Sequence, residues 1–236
     1  MQKLSISSII TRSLTTLKDN FAAFFMISFL MKIVTLLLMM TLGVYDLMKI
    51  GMMSPADMAQ TPGGLFGSYA SLMLATIAPS MLALGMITVG TVAYLQGDPT
   101  TIGDCIKQGL RKSVPLILLG LITGFAVSFG MMLLIIPGLI ILAVWFVAGP
   151  VLMVENSGVI KSLTRSMALT TDARGMIIAL VALIFIISLV VSSITLFLVM
   201  SFGIIGSVIL TAVDALFLAY GCIVCVVVYM DLKNAA

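Results

Sequence analysis

The chain has 236 residues, of which 61% are hydrophobic and 9% charged, with a mean hydropathy of +1.28 and a net charge of +3. A soluble domain is about 45–50% apolar and about 25% charged, and at this length geometry limits how much apolar surface a fold can hide from water. Lipid is therefore the expected solvent. The small net charge gives no reason to expect a nucleic-acid partner.

In lipid every backbone amide must be satisfied within its own helix or in a closed barrel. The apolar runs are continuous rather than alternating, so helices are expected. A span needs about 20 apolar residues. Met1–Lys18 mixes polar and apolar residues, and Phe21–Gly43 follows as an uncleaved first span, interrupted by Lys32. Tyr69–Gln96 is the second span and contains Pro79. The 41 residues of Val114–Val154 would make one helix of about 60 Å, twice the core of the bilayer. A turn is expected at Ile135–Gly138, where Pro137 removes a helical hydrogen bond and Gly138 admits a positive φ. This gives spans Val114–Ile136 and Leu139–Val154. Met176–Met230 is too long for one pass, and Ser201–Gly206 is its expected turn.

That makes six spans. Lysine and arginine in short loops orient them. With the N-terminus inside, ten basic residues (Lys3, Arg12, Lys18, Lys107, Arg111, Lys112, Lys161, Arg165, Arg174, Lys233) lie on the cytoplasmic side and Lys49 alone outside. Both termini are expected in the cytoplasm.

The expected fold is all-α: one membrane domain of three hairpins, each preceded by a cytoplasmic amphipathic helix. A three-fold pseudo-repeat is expected, with units of roughly 1–96, 97–154 and 155–236. The first amphipathic segment carries Ile6, Ile10, Leu14 and Leu17 beside Arg12 and Lys18; the second carries Ile102, Ile106 and Leu110 beside Lys107, Arg111 and Lys112; the third carries Ile160, Leu163 and Met167 beside Lys161 and Arg165. Spacings of three and four place each apolar set on one stripe. Thr11-Arg12-Ser13-Leu14 nearly coincides with Thr164-Arg165-Ser166-Met167, and each hairpin ends in an acid: Asp98, Glu155 or Asp231.

The turn Ile136–Ile140, the run Gly149–Glu155 with Pro150 inside it, and Gly158-Val159, Ser162-Leu163, Arg165-Ser166 and Leu169-Thr170 resemble the YciC family of bacterial inner-membrane proteins. More distantly they resemble the membrane domain attached to some glycerophosphoryl diester phosphodiesterases. The ending Tyr229-Met230-Asp231-Leu232-Lys233 is similar to the Tyr-x-Asp-Leu-Arg ending of that wider group. The resemblance implies a six-span inner-membrane protein and brings no catalytic residue, since the phosphodiesterase chemistry resides in a separate soluble domain.

Chemistry-bearing groups are few. There is no histidine, so the usual general base near neutral pH is missing. Glu155 is the single glutamate and the aspartates are scattered over separate segments. No catalytic residue, cofactor or metal is assigned. Met48, Met52, Met53 and Met58 could offer soft ligands to Cu(I), but methionine is abundant throughout, so the ordinary reading is interfacial packing. Cys222 and Cys225 form a CxxC inside an apolar run and read as small buried hydrophobes. Gly120 and Gly124 share a helix face, as in close helix packing.

Lys32 and Asp214 are the two charges at membrane depth. They either pair between the first and last spans or reach separately for the interface. Pro137, Gly138, Pro150 and Glu155 are read as turn and cap residues, with Glu155 and Ser157 capping the third amphipathic helix.

The leading functional expectation is a non-catalytic protein of envelope upkeep that organises or senses anionic lipid through Arg12, Lys107, Arg111, Lys112, Lys161 and Arg165, or serves another membrane protein as an accessory. Basic amphipathic helices attract anionic headgroups; as structural elbows they would only pack beneath the bundle. The competing class is a small-solute or lipid transporter.

Overall fold

The computed structural model describes residues 5–42, 64–98 and 100–235. Among these the chain is helical, without strands. Ten helices follow in order: α1 (Ile6–Asp19), α2 (Phe21–Thr41), α3 (Gly64–Gln96), α4 (Ile102–Arg111), α5 (Ser113–Leu133), α6 (Ile135–Val144), α7 (Ala148–Val154), α8 (Val159–Thr170), α9 (Arg174–Phe202) and α10 (Ile204–Ala235). Six stretches are long and apolar enough to cross a membrane, the fourth made jointly by α6 and α7. Phe129, Met132, Phe185, Ile186, Val190 and Phe197 are exposed along them, a surface that only lipid would tolerate. The protein is a polytopic membrane protein.

α10 is the hub. It packs on α1, α2, α3, α7 and α9, and every residue from Cys222 to Tyr229 is buried. A helix that is apolar all round needs such enclosure. α9 is the least enclosed span and α10 the most.

The turn expected at Ile135–Gly138 lies earlier. α5 ends at Leu133, Leu134 alone is extended, and α6 begins at Ile135. Pro137 therefore sits in the first turn of α6, where its missing N–H has no intrahelical acceptor in any case. Gly138 makes no left-handed turn; the left-handed glycines among the described residues are Gly97 and Gly203. It serves a close crossing instead: a Cβ on Gly138 would come within 2.8 Å of the Met131 backbone nitrogen, and one on Gly130 within 2.9 Å of the Gly138 Cα. The turn expected at Ser201–Gly206 is found there, made by Gly203 at φ +55°. α3 continues through Pro79.

The fourth span is broken at Trp145–Val147, which the sequence reading did not anticipate. Pro150 falls in the first turn of α7, again where its missing donor costs nothing. The carbonyls freed by the break find side-chain donors. Ser166 Oγ and Thr170 Oγ1 donate to the Val144 oxygen at 2.8 and 3.2 Å, and Cys225 Sγ donates to the Phe146 oxygen at 2.8 Å. A break inside a span is tolerated only where protein re-satisfies the backbone, and these residues do so. Cys222 and Cys225 are free and buried.

All three expected amphipathic helices form, but their inward faces are rotated from the expected stripes. α1 buries Ile9, Ser13 and Thr16; α4 buries Cys105 and Gly109; α8 buries Ser162, Leu163, Ser166, Leu169 and Thr170. Leu14, Leu110, Ile160 and Met167 are exposed. Small side chains let each helix approach its neighbour closely, so they take the packed face. A Cβ on Gly109 would meet the Met86 backbone nitrogen at 3.1 Å. Of the expected stripes, Leu163 is buried and Ile6, Ile10, Leu17, Ile102 and Ile106 pack against the core, while Leu14, Leu110, Ile160 and Met167 remain on the outer edge, next to the basic residues.

Candidate functional site: a basic cavity and three polar joints

Each amphipathic helix packs against a span that reaches the same end of the bundle: α4 on α3, α8 on α7 and α1 on α10. Arg12 Nη1 meets Asp231 Oδ1 at 2.5 Å, and Arg165 Nε lies 3.5 Å from Glu155 Oε1. Tyr229, fully buried, donates its hydroxyl to the same Glu155 oxygen at 3.2 Å. The Tyr-x-Asp ending thus joins two contacts two residues apart, one to the end of α7 and one to α1. A third joint ties the end of α3 to the end of α1, where the Tyr94 hydroxyl donates to Asp19.

These contacts overturn the capping role given to Glu155. It is the C-terminal cap residue of α7, and α8 starts from Gly158 without a side-chain cap. The carboxylate is drawn to Arg165 and Tyr229 instead, while Ser157 Oγ meets Ser162 Oγ at 2.8 Å. The capping box occurs on α4: Thr101 and Asp104 exchange side-chain and backbone bonds. Its signal in the sequence is the Thr-x-x-Asp spacing of Thr101 and Asp104. The bond with Thr101 holds the Asp104 carboxyl below its usual range.

Of the six cations singled out as headgroup ligands, the structure divides three from three. Arg12 and Arg165 are engaged by carboxylates, and Lys161 stands exposed on α8. Lys107, Arg111 and Lys112 line a single cavity of about 490 Å³ with Asp104, Gln108, Met153 and Asn156. The fold makes this cavity by a simple device. Lys112 Nζ donates to the Leu152 and Met153 oxygens at 3.2 and 3.0 Å, holding the α4–α5 junction over the C-terminal end of α7, a favourable place for a cation. Asn156 then turns the chain away at φ +53°. Burial and the neighbouring Arg111 charge push the Lys112 ammonium below the ordinary lysine value. Three cations face one carboxylate, so the cavity is suited to an anion.

Leu110 and Val114, 50% and 67% exposed, flank these cations. The apolar lipid-facing edge of α5 begins immediately beyond them, which places the cavity at the border between charged and apolar surface.

Lys32 and Asp214 do meet: Nζ to Oδ2 is 3.6 Å, between the packed α2 and α10. Neither lines the basic cavity or either of two others. One of those, of about 250 Å³, lies at the α1–α2 joint with Asn20, Tyr94, Asp98 and Thr100 in its wall. Gly120 and Gly124 form the expected close contact; a Cβ on either would strike Ile77. No three His, Cys, Asp or Glu side chains among the described residues gather as a metal site. Met48, Met52, Met53 and Met58, with Lys3 and Lys49, lie outside the described residues.

Compared with known protein families, curated proteins and solved structures, the chain matches none. The likeness to the YciC family therefore rests on the residues quoted above.

Proposed function

We propose that this is a non-catalytic protein of the bacterial inner membrane, with both termini cytoplasmic, that binds and organises anionic phospholipid. The observation that carries the reading is the cavity in which Lys107, Arg111 and Lys112 face Asp104 alone, bordered by exposed apolar Leu110 and Val114. Cations at that border lie where lipid phosphates lie, and each contributes roughly 1 kcal/mol of attraction near an anionic surface.

The architecture belonging to this reading is three hairpins related by a pseudo-repeat. It is supported by a cyclic pattern of contacts. α4 and α8 each pack on the span just before them, and α1 packs on α10. The matching arginines Arg12 and Arg165 each take the acid that ends the span so contacted, Asp231 and Glu155. The cyclic arrangement is incomplete: Asp98, the remaining acid, has no such arginine partner.

Native mass spectrometry of the full chain in mixed phosphatidylglycerol and phosphatidylcholine tests the proposal. The wild type should retain the anionic lipid selectively. Lys107→Gln with Arg111→Gln should reduce that preference roughly thirty-fold, at about 1 kcal/mol per cation. A wild type without preference for the anionic lipid would sink the reading.

A further inference from the structure

The basic cavity stands above a second, apolar one. A groove of about 380 Å³ is walled by α3, α5 and the broken fourth span, among its lining residues Leu84, Thr123, Val127, Leu142, Trp145 and Gly149. Its nearest edge lies close below the basic cavity: Gly149 is four residues from Met153 on α7, about 6 Å at 1.5 Å per residue. From there it follows α5. Lys112 stands at the start of α5, and Leu119, Thr123 and Val127, spaced by four and four, share one face of the helix. Lys112 to Val127 is about 22 Å along the axis, against about 15 Å for one leaflet of the hydrocarbon core.

The groove is apolar and dry. Leu84 and Ile77 pack directly onto Gly149 and Gly124 where a Cβ would otherwise stand, so backbone and apolar side chains form these walls. The Thr123 hydroxyl turns back onto the Leu119 and Gly120 carbonyls at 2.9 and 3.1 Å, so it offers nothing to a polar guest. Both volumes fall in the range of small-molecule sites.

We propose that the two cavities are halves of one lipid site, and that its occupant is a single anionic glycerophospholipid. Its phosphate lies among Lys107, Arg111 and Lys112, and one acyl chain lies along α5 in the groove. This rests on the headgroup reading above and adds the chain. The cations select the headgroup; a soluble phosphate compound would answer the same charges but leave the groove unused. Lipid tails are already in an apolar solvent, so the groove supplies no hydrophobic driving force of its own. What it supplies is packing that lengthens the stay of one lipid, held at the phosphate end by charge.

The test uses the full chain in nanodiscs containing a phosphatidylglycerol with a diazirine in mid-chain. Photolabel should concentrate on Thr123, Val127 and Leu142, at least fivefold over the outward residues Leu118 and Ile122 of the same helix, and should fall to the outward level in Lys107→Gln/Arg111→Gln. Unlabelled phosphatidylglycerol should compete, while the soluble headgroup glycerophosphoglycerol should not displace the chain label at equal concentration. Labelling spread evenly over α5, with anionic preference intact, overturns the chain site and leaves the headgroup reading standing. Loss of anionic preference itself overturns both. The wild-type comparison needs no variant, so a misfolded mutant cannot decide the outcome. Val127→Trp, which places a large side chain in the wall of the groove, should abolish the concentrated label.

Discussion

Replacing Lys32 with Met leaves Asp214 as an isolated charge on the face of α10, and replacing Asp214 with Leu leaves Lys32 isolated on α2. At 3.6 Å two unit charges attract by about 5 kcal/mol at an effective dielectric of 20. The side chains are 30% and 43% exposed, so reorientation and screening reduce the recoverable part to roughly 2–3 kcal/mol. A lone charge in a span costs about 3 kcal/mol on insertion scales. Each single substitution should therefore destabilise by about 2–3 kcal/mol. The double substitution should cost less than either single one, since two apolar residues replace a pair whose desolvation the pairing barely offsets. Lys32→Asp combined with Asp214→Lys should restore most of the stability. The assay is a double-mutant cycle on thermal unfolding in nanodiscs, read against wild type. Strict additivity, or a swap no better than either single change, would refute the pairing as an energetic link between the first and last spans.

Other outcomes follow from single contacts. Gly109→Val should destabilise by about 1–3 kcal/mol through overpacking, because its Cβ would fall 2.5 Å from the Met86 Cγ and 3.1 Å from the Met86 backbone nitrogen; differential scanning fluorimetry reads the fall in Tm, and an unchanged Tm would mean that α4 does not sit so close. Thr91 is fully buried and its hydroxyl has no partner, so Thr91→Val should be neutral or stabilise by about 1 kcal/mol; marked destabilisation in the same assay would instead reveal a bound water or ligand. Since burial lowers the Lys112 pKa, the folded state binds fewer protons there than the unfolded chain between that lowered value and 10.5, and stability should rise with pH across this window. Anion retention should fall over the same window as the ammonium discharges. Lys112→Arg, charged throughout, should flatten the loss of retention, measured by lipid retention against pH.

Much of the fold was legible in the sequence because it follows from local quantities. Span count comes from run length against bilayer thickness, and the break at Gly203 comes from a glycine inside a run too long for one crossing. The three amphipathic helices follow from spacing. Their orientation did so only in part, because periodicity locates an apolar stripe but cannot say which edge of it lipid or protein covers. Leu14, Leu110 and Met167 carry the stronger apolar signal, yet small residues such as Ser13, Gly109 and Ser166 take the protein side, where contact distance rather than hydrophobicity decides.

By itself the sequence determined that lipid is the solvent and that charge concentrates at the helix ends, since composition and run length act without reference to distant contacts. Only the tertiary structure decided which cations share a cavity and which are claimed by carboxylates. Arg12 and Arg165 look like Arg111 in any window of sequence. What separates them is Asp231, 219 residues from Arg12 along the chain, and Glu155 across a turn, while Arg111 comes to stand with Lys107 and Lys112 over the end of α7. Pairing of charges depends on separations of a few ångströms in space, and those are set by packing.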